Sequence, residues 1–165
     1  MPAEKHILDQ TVEDLMEGCS CVAASVQVGS PLSDAIDAII SADRSTKVYV
    51  VDESGVLVGT VTINTLMRQV GYRLKVRGVG ITSFFRFLRE VFKDNVEEFM
   101  EDPMSVTSGT TVVEATRLIV EHNLNDLPIV DGENHLTGEL KSVEIIDASR
   151  KLFDESSQEE PVDPI

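Results

Sequence analysis

The sequence predicts a mixed α/β fold of the α+β type, in which two βαββα repeats pack about a pseudo-twofold axis. Three observations lead to this prediction. The chain has 165 residues, of which 42% are hydrophobic, so it can bury a globular core. Its first half resembles its second half in sequence. Each half also carries the same succession of strand-like and helix-like apolar patterns.

The internal repeat is clearest where residues 25–35 align without gaps with residues 105–115. Both stretches hold Ser, Val, Gly, an acidic residue and Ala at the same positions. Several matches in one order are hard to explain without a duplication. The other matches are Val12–Met16 with Val96–Met100, Val48–Asp52 with Pro128–Asp131, and Gly59 with Gly138.

Each repeat has the same predicted element order, which is strand, helix, strand, strand, helix. Ser30-Pro31 and Thr110-Thr111 supply a hydroxyl N-cap and first-turn residues before an apolar pattern with helical spacing. Short β-branched runs separated by Asp-, Gly- and Asn-containing turns then predict two strands. The predicted strands span residues 48–51, 56–61, 127–130 and 136–140, and the closing helices begin near Thr62 and Ser142.

These patterns divide the chain into five segments. A repeat of about 55 residues is marginal alone, so we expect the two repeats to share a core and to form two related clefts. Helix N-termini that face such clefts would favour anions. The predicted segments are an N-terminal arm (1–10), repeat 1 (11–70), an inserted basic and aromatic linker with a helix (71–95), repeat 2 (96–152) and an acidic disordered tail (153–165).

Charge and composition exclude several classes of protein. The net charge of −15 would repel a phosphate backbone, which argues against a duplex nucleic-acid binder. No apolar run approaches the ~20 residues of a transmembrane helix, and the first residues lack the pattern of a secretory signal. Cys19 and Cys21 are too close for an ordinary disulfide and lack a second pair for a metal site. We therefore expect a cytoplasmic protein with reduced thiols.

Two stretches carry a resemblance to a known family. Pro128–Asp131 followed by Gly138–Glu144, and Val48–Asp52 followed by Gly59–Thr65, resemble the motif of the tandem CBS domain, or Bateman module, named after cystathionine β-synthase. The resemblance implies a regulatory module that binds AMP, ADP, ATP or S-adenosylmethionine in the clefts between repeats and signals to a partner. We expect a homodimer that requires no cofactor.

The resemblance also implies roles for individual residues. In the family, a hydroxyl residue after the Gly contacts phosphate, and an acid three residues later holds the ribose hydroxyls. Repeat 1 has Thr62 and Thr65 at these positions, whereas repeat 2 has Lys141 and Glu144, which makes repeat 2 the better site. The candidate ligand-binding residues are Lys47, Gly59, Thr62, Thr65, Asp126, Pro128, Gly138, Lys141 and Glu144.

Structural roles are open alternatives for the same residues. Thr62 could cap a helix, Lys141 and Glu144 could form a solvated helix start, and Asp126 could be a turn former. No nucleophile motif, phosphate-binding Gly-rich loop or dinucleotide fingerprint is present. The three histidines, His6, His122 and His135, share no metal-ligand spacing. We therefore expect a protein that is not an enzyme.

The inserted segment is the departure from a plain tandem repeat. Residues 68–93 hold seven basic residues and one acid, a net charge of +6 that leaves −21 for the rest of the chain. A helix is predicted over residues 83–92, with its apolar face formed by Phe84, Phe85, Leu88, Val91 and Phe92. This helix has two interpretations. It packs on the module or at a dimer interface, or it is a docking element for an acidic partner, an anionic membrane surface or ligand phosphates. The alternative function is thus a ligand-independent interaction protein that uses residues 72–92.

Overall fold

The computed structural model describes residues 9–17, 22–42, 45–77 and 81–156. Most of the predicted N-terminal arm, both cysteines, Gly78, Gly80 and residues 157–165 of the predicted tail lie outside these ranges. Within them, no helix has both the length and the apolar content needed to cross a membrane.

The predicted βαββα order is confirmed in both repeats. Repeat 1 forms β1 (Ser25–Gln27), α2 (Leu32–Ser41), β2 (Lys47–Val51), β3 (Leu57–Thr62) and α3 (Ile63–Arg77), preceded by the short helix α1 (Val12–Met16). The insert forms α4 (Ile81–Val91). Repeat 2 forms a 3₁₀ helix (Val96–Glu98), β4 (Val106–Thr107), α5 (Val112–Glu121), β5 (Asp126–Val130), β6 (Leu136–Lys141) and α6 (Ser142–Ser156).

Each repeat builds one three-stranded sheet, in the order β1-β2-β3 or β4-β5-β6. β1 pairs in parallel with β2, and β2 pairs antiparallel with β3. β4 likewise pairs in parallel with β5. A helix joins the parallel strands in each case, because a parallel pair needs a long crossover connection. The two repeats therefore share one topology.

The chain folds into two compact units. Most of the residues of each repeat that precede its first strand belong to the unit of the other repeat. Of the described residues, those within 23–104 and 132–137 form the repeat-1 unit, and those before 23, within 105–131 and from 138 onward form the repeat-2 unit. The predicted boundaries of repeat 1 (11–70) and repeat 2 (96–152) therefore differ from the boundaries of the compact units.

Backbone hydrogen bonds explain this division. In the repeat-1 unit, the Val96 N–H donates to the Ser30 carbonyl at 2.9 Å. In the repeat-2 unit, the Val12 N–H donates to the Thr110 carbonyl at 2.8 Å, and Thr11 and Thr111 form an antiparallel bridge. The segments that begin with Val12 and Val96 thus make equivalent bonds in the two units.

The start of α2 corrects one capping prediction. Pro31 occupies the N-cap, and no side chain caps the helix there. Carbonyls of the insert satisfy the first helical N–H groups instead: Leu32 donates to Asp94 at 2.8 Å and Ser33 donates to Phe92 at 3.0 Å. In repeat 2 the predicted hydroxyl cap is confirmed, since the Thr111 hydroxyl accepts from the Glu114 N–H at 3.2 Å.

Two helices run further than the segment boundaries predicted. α3 continues through Gly71 to Arg77, and Arg73 anchors this part of the helix through an ion pair with Asp94 at 2.6 Å. α6 extends to Ser156, beyond the predicted start of the tail at residue 153, and an Asp147–Lys151 ion pair at 2.8 Å supports its later turns.

The insert helix α4 helps to form the core of the repeat-1 unit. Phe87 and Val91 are buried in one cluster with residues of α2, β2, β3 and α3. The predicted apolar face was therefore partly wrong: it omitted Phe87 and included Phe85, which is 69% exposed. Phe92 is also exposed, at 36%. The interpretation of α4 as a helix packed on the module is confirmed.

Candidate ligand-binding sites

In the repeat-1 unit, the start of β2 lies beside the start of α3. Lys47, the first residue of β2, is the cross-strand partner of Thr62, the last residue of β3. The Ile63 N–H at the start of α3 also donates to the Thr46 carbonyl at 3.0 Å. The fold therefore brings Lys47 and Thr62, two of the predicted ligand residues, to one edge of the unit.

Thr62 caps α3, which confirms the structural interpretation of its hydroxyl. The Thr62 hydroxyl accepts from the Thr65 N–H at 3.0 Å and donates to the Thr65 hydroxyl at 3.0 Å. Thr65 is only 4% exposed. The two hydroxyls thus bond to each other at the position where the family motif places a phosphate contact and a ribose carboxylate.

Gly59 and Thr62 lie on opposite faces of the repeat-1 sheet. Successive residues of a strand alternate between the two faces, and these positions differ by three. Its cross-strand partner is Val50, a core residue. A Cβ at Gly59 would lie 2.5 Å from the sulfur of Met100, so the close packing of Met100 requires a glycine here. The structure gives Gly59 a packing role, and its ligand contact stays a prediction.

The repeat-2 unit brings the start of β5 beside the start of α6 in the same way. The Ser142 N–H, at the start of α6, donates to the carbonyl of Asn125, which precedes β5, at 2.9 Å. Asp126, the first residue of β5, is 9% exposed. Asp126 therefore lies near the end of β6, where Lys141 is found.

Glu144 folds back over the first turn of α6. Its Oε2 atom accepts from the Lys141 N–H at 2.9 Å, and both side chains are half-buried. Pro128 and Gly138 lie within β5 and β6, and both are buried. Of the predicted residues in this unit, the structure thus groups Asp126, Lys141 and Glu144, whereas Pro128 and Gly138 belong to the sheet itself.

The two units carry different charges at equivalent places. Lys47 and Asp126 each begin the middle strand of their sheet, and both are almost fully buried. Glu139, on β6, is 1% exposed and was not predicted as a candidate. The alternation of polar residues Thr137, Glu139 and Lys141 along β6 is the sequence pattern that could have indicated a polar sheet face.

The sequence model of the family described as "CBS domain" matches the chain twice, at residues 11–72 and 96–151. The chain belongs to the CBS domain family. Its two matches form a tandem pair, and each ends on the helix that closes its βαββα unit. No curated protein matches the chain in sequence.

Solved structures of CBS proteins resemble this chain in fold. A CBS domain-containing protein from Thermotoga maritima is 28% identical, with a TM-score of 0.66, over 87% of this chain and 96% of that one. CBSX2, a CBS-pair protein from Arabidopsis thaliana, is 21% identical over 88% of this chain and 97% of its own, with a TM-score of 0.68.

Two of the solved structures that this chain resembles contain a nucleotide. One is CBSX2 in complex with AMP, 21% identical over 87% of this chain and 98% of that one, with a TM-score of 0.65. The other is the cytosolic domain of the Mg²⁺ channel MgtE in complex with ATP, which is 22% identical over 76% of this chain and 44% of that one, with a TM-score of 0.57.

Proposed function

We propose that this CBS-pair protein is a regulatory module that binds an adenosine-containing ligand and passes a conformational change to a partner. The ligand class is AMP, ADP, ATP or S-adenosylmethionine. One observation carries the proposal: the repeat-2 unit groups Asp126, Lys141 and Glu144 where a strand start meets a helix start. The AMP complex of CBSX2 and the ATP complex of MgtE support the choice of ligand class.

The chemistry of the repeat-2 residues fits such a ligand. A carboxylate has about four acceptor positions, so Glu144 can accept from two ribose hydroxyls in addition to the Lys141 N–H. The ammonium group of Lys141 can pair with a phosphate as a compact charge. We therefore assign the ribose to Glu144 and the phosphate to Lys141.

The repeat-1 residues form the weaker of the two proposed sites. Thr65 stands where Glu144 stands in repeat 2, and its hydroxyl accepts from Thr62. A hydroxyl is a weaker acceptor than a carboxylate, so ribose binding should be poorer here. We assign Lys47 and Thr62 to ligand phosphate, with occupancy only at higher ligand concentration. To donate to a phosphate, the Thr62 hydroxyl must turn its proton away from Thr65.

Calorimetric titration with AMP, ADP, ATP and S-adenosylmethionine tests the proposal. We expect at least one of them to bind and to raise the melting temperature, since a ligand that binds only the native state stabilises it. Absence of heat and of a melting shift with all four ligands at millimolar concentration would reject the proposal.

A pair of matched variants locates the site. Glu144→Gln keeps an oxygen that can accept from the Lys141 N–H but removes the carboxylate charge, so we expect affinity to fall at least tenfold without loss of α6. Asp147→Asn, which removes an exposed carboxylate of the same helix, should leave affinity unchanged. If Glu144→Gln binds the ligand as tightly as the unmodified protein does, Glu144 does not bind the ribose.

We further propose that the module is a homodimer without catalytic activity. The support for a dimer is apolar exposure on the closing helices: Met67 of α3 and Ile146 of α6 are 65% and 67% exposed. Sedimentation equilibrium should give twice the chain mass for the unmodified protein and a lower mass for Met67→Glu or Ile146→Glu. Incubation with ATP should release no ADP or phosphate.

A further inference from the structure

The outer surface of α4 carries two exposed aromatic rings on one edge. Phe85 and Phe92 are 69% and 36% exposed. They are seven residues apart, and the Phe92 N–H continues the helical pattern by donating to the Leu88 carbonyl at 2.9 Å. Because seven residues complete about two turns, both rings lie on the same side of the helix.

Two arginines of α4, Arg86 and Arg89, are close in sequence to these rings. Arg86 and Arg89 are exposed, and neither forms an ion pair within the described part of the chain. Among the described residues, Lys75 of α3 is likewise exposed and without an ion pair. Other basic side chains do form ion pairs: Arg68, Arg73, Lys93, Arg117, Arg150 and Lys151.

The inner face holds α4 in place. Phe87 and Val91 are buried in the core of the repeat-1 unit, and Phe84 and Leu88 are half-buried. The outer side chains therefore project from a helix that is already ordered. A partner that binds them need not order the helix, which lowers the entropic cost of association.

We propose that Phe85, Arg86, Arg89 and Phe92, which we name the α4 outer surface, bind a partner protein that presents carboxylates around an apolar pocket. The guanidinium groups match carboxylates through paired hydrogen bonds, and the two rings supply apolar anchors. Aromatic residues and arginine are enriched at protein interfaces. This inference concerns a protein contact and does not depend on nucleotide binding.

A protein partner fits this surface better than an anionic membrane does. An interfacial helix buries its whole apolar face in the lipid, but the main apolar face of α4 is already buried against its own unit. Basic sites for anionic lipids typically have about four to eight Lys or Arg residues. The α4 outer surface has two, so charge density also favours a protein.

Photo-cross-linking followed by direct binding tests the proposal. A photoreactive phenylalanine analogue replaces Phe85 in the full chain, which is expressed in its natural host cells and irradiated. The cross-linked polypeptide is identified by mass spectrometry, purified separately and titrated against the full chain. We expect binding that weakens as salt rises and falls at least tenfold in Arg86→Glu/Arg89→Glu and in Phe85→Ala.

Two control variants separate the surface from general effects. Arg150→Glu reverses an exposed charge on α6, and Val120→Ala trims an exposed side chain on α5. Both should bind the partner as the unmodified chain does. All variants should keep the melting temperature within a few degrees, because the altered side chains are exposed.

A compensating change in the partner completes the test. If Asp→Arg or Glu→Arg in the cross-linked peptide of the partner restores binding to Arg86→Glu/Arg89→Glu, the carboxylate contact is established. The proposal is overturned if no polypeptide cross-links at Phe85, or if the purified polypeptide binds every variant equally. A membrane role would also overturn it. In that case vesicles of phosphatidylcholine and phosphatidylserine would bind the unmodified protein but not the Arg86→Glu/Arg89→Glu variant, and no polypeptide would bind the α4 outer surface.

Discussion

Thr60 and Glu101 exchange two backbone hydrogen bonds, at 3.0 Å and 2.8 Å, so the chain after the 3₁₀ helix pairs with β3. This pairing sets the side chain of Met100 directly against Gly59. The first residues of repeat 2 are thereby part of the repeat-1 unit, and the absence of a side chain at Gly59 is what allows the close approach.

Gly59→Ala should destabilise the protein by about 1–3 kcal/mol, because the added methyl would overlap both the sulfur and the Cβ of Met100. Urea denaturation measures the change in the free energy of unfolding. In a Met100→Ala background the same substitution should cost clearly less, since the overlapping atoms beyond Cβ are gone. Equal costs in both backgrounds would contradict the packing role of Gly59.

Arg73→Met should lower the free energy of unfolding by about 1–2 kcal/mol. The guanidinium pairs with Asp94 at 2.6 Å and stands 5.1 Å from the centre of the Phe99 ring, and both ionic side chains are about one-third exposed. Arg73→Lys should recover only part of the loss, because an ammonium lacks the planar contact with the ring. Thermal unfolding of the two variants measures the difference, and full recovery by Lys would contradict a specific role for the guanidinium.

The repeat made most of the fold predictable from sequence. Matches such as Gly59 with Gly138 indicated equivalent turns and strands. The short β-branched runs placed β2, β3, β5 and β6 within one residue of their observed bounds. Local capping was less predictable. Ser30-Pro31 resembles a helix start, but the N–H groups of α2 bond to carbonyls of residues 92 and 94, a long-range contact that local sequence does not reveal.

The candidate sites were predictable only in part. The resemblance to the CBS motif singled out Thr62 with Thr65 and Lys141 with Glu144. The structure holds each pair together, because three residues make about one helical turn. The burial of Glu139 and the packing role of Gly59 depend on which side chains cover the sheet faces. That information comes from tertiary structure, so a local motif could not supply it.

Thr62→Ala should destabilise the protein by about 0.5–2 kcal/mol, because the Thr65 N–H loses its acceptor at the start of α3. Thr62→Ser keeps the hydroxyl and should be close to neutral. Thr111→Ala is the matched change in repeat 2, where the hydroxyl caps α5, and we expect a similar loss. Denaturation curves compare the three, and a Ser variant as unstable as the Ala variant would argue against capping.

The carboxyl of Glu114 should titrate at an abnormally low pH. Its hydrogen bond from Arg117, with the nearby positive charge, lowers the pKa of Glu114, and the same contact raises the pKa of Arg117. Because the folded-state pKa is depressed, the stabilisation is present near neutral pH and disappears as pH falls through that pKa. Both groups are exposed, so the effect on stability is small.

NMR titration of the Glu114 carboxyl carbon measures this pKa directly. In Arg117→Met the pKa should rise toward the ordinary glutamate value, while the pKa of Asp147, which Lys151 lowers, should not change. An unchanged Glu114 pKa in the variant would show that the observed contact is not maintained in solution.

The insert helix shows why a basic, aromatic segment is difficult to interpret from sequence. Phe87 and Val91 follow helical spacing and are buried in the core, but Phe85 and Phe92 are equally apolar and are exposed. The chain has six phenylalanines, and composition alone does not tell which of their rings are buried and which are exposed. Only the packing of α4 against the repeat-1 unit decides which face is buried.

Phe87→Ala and Phe85→Ala should therefore differ sharply. Phe87 is 7% exposed within the core cluster, so its truncation should cost about 3–5 kcal/mol through lost burial and a residual cavity. Phe85 is 69% exposed, so its truncation should change the free energy of unfolding by no more than about 0.5 kcal/mol. Urea denaturation of both variants makes the comparison. If both truncations cost the same, α4 would not pack through the Phe87 face, and the division between its inner and outer surfaces would be wrong.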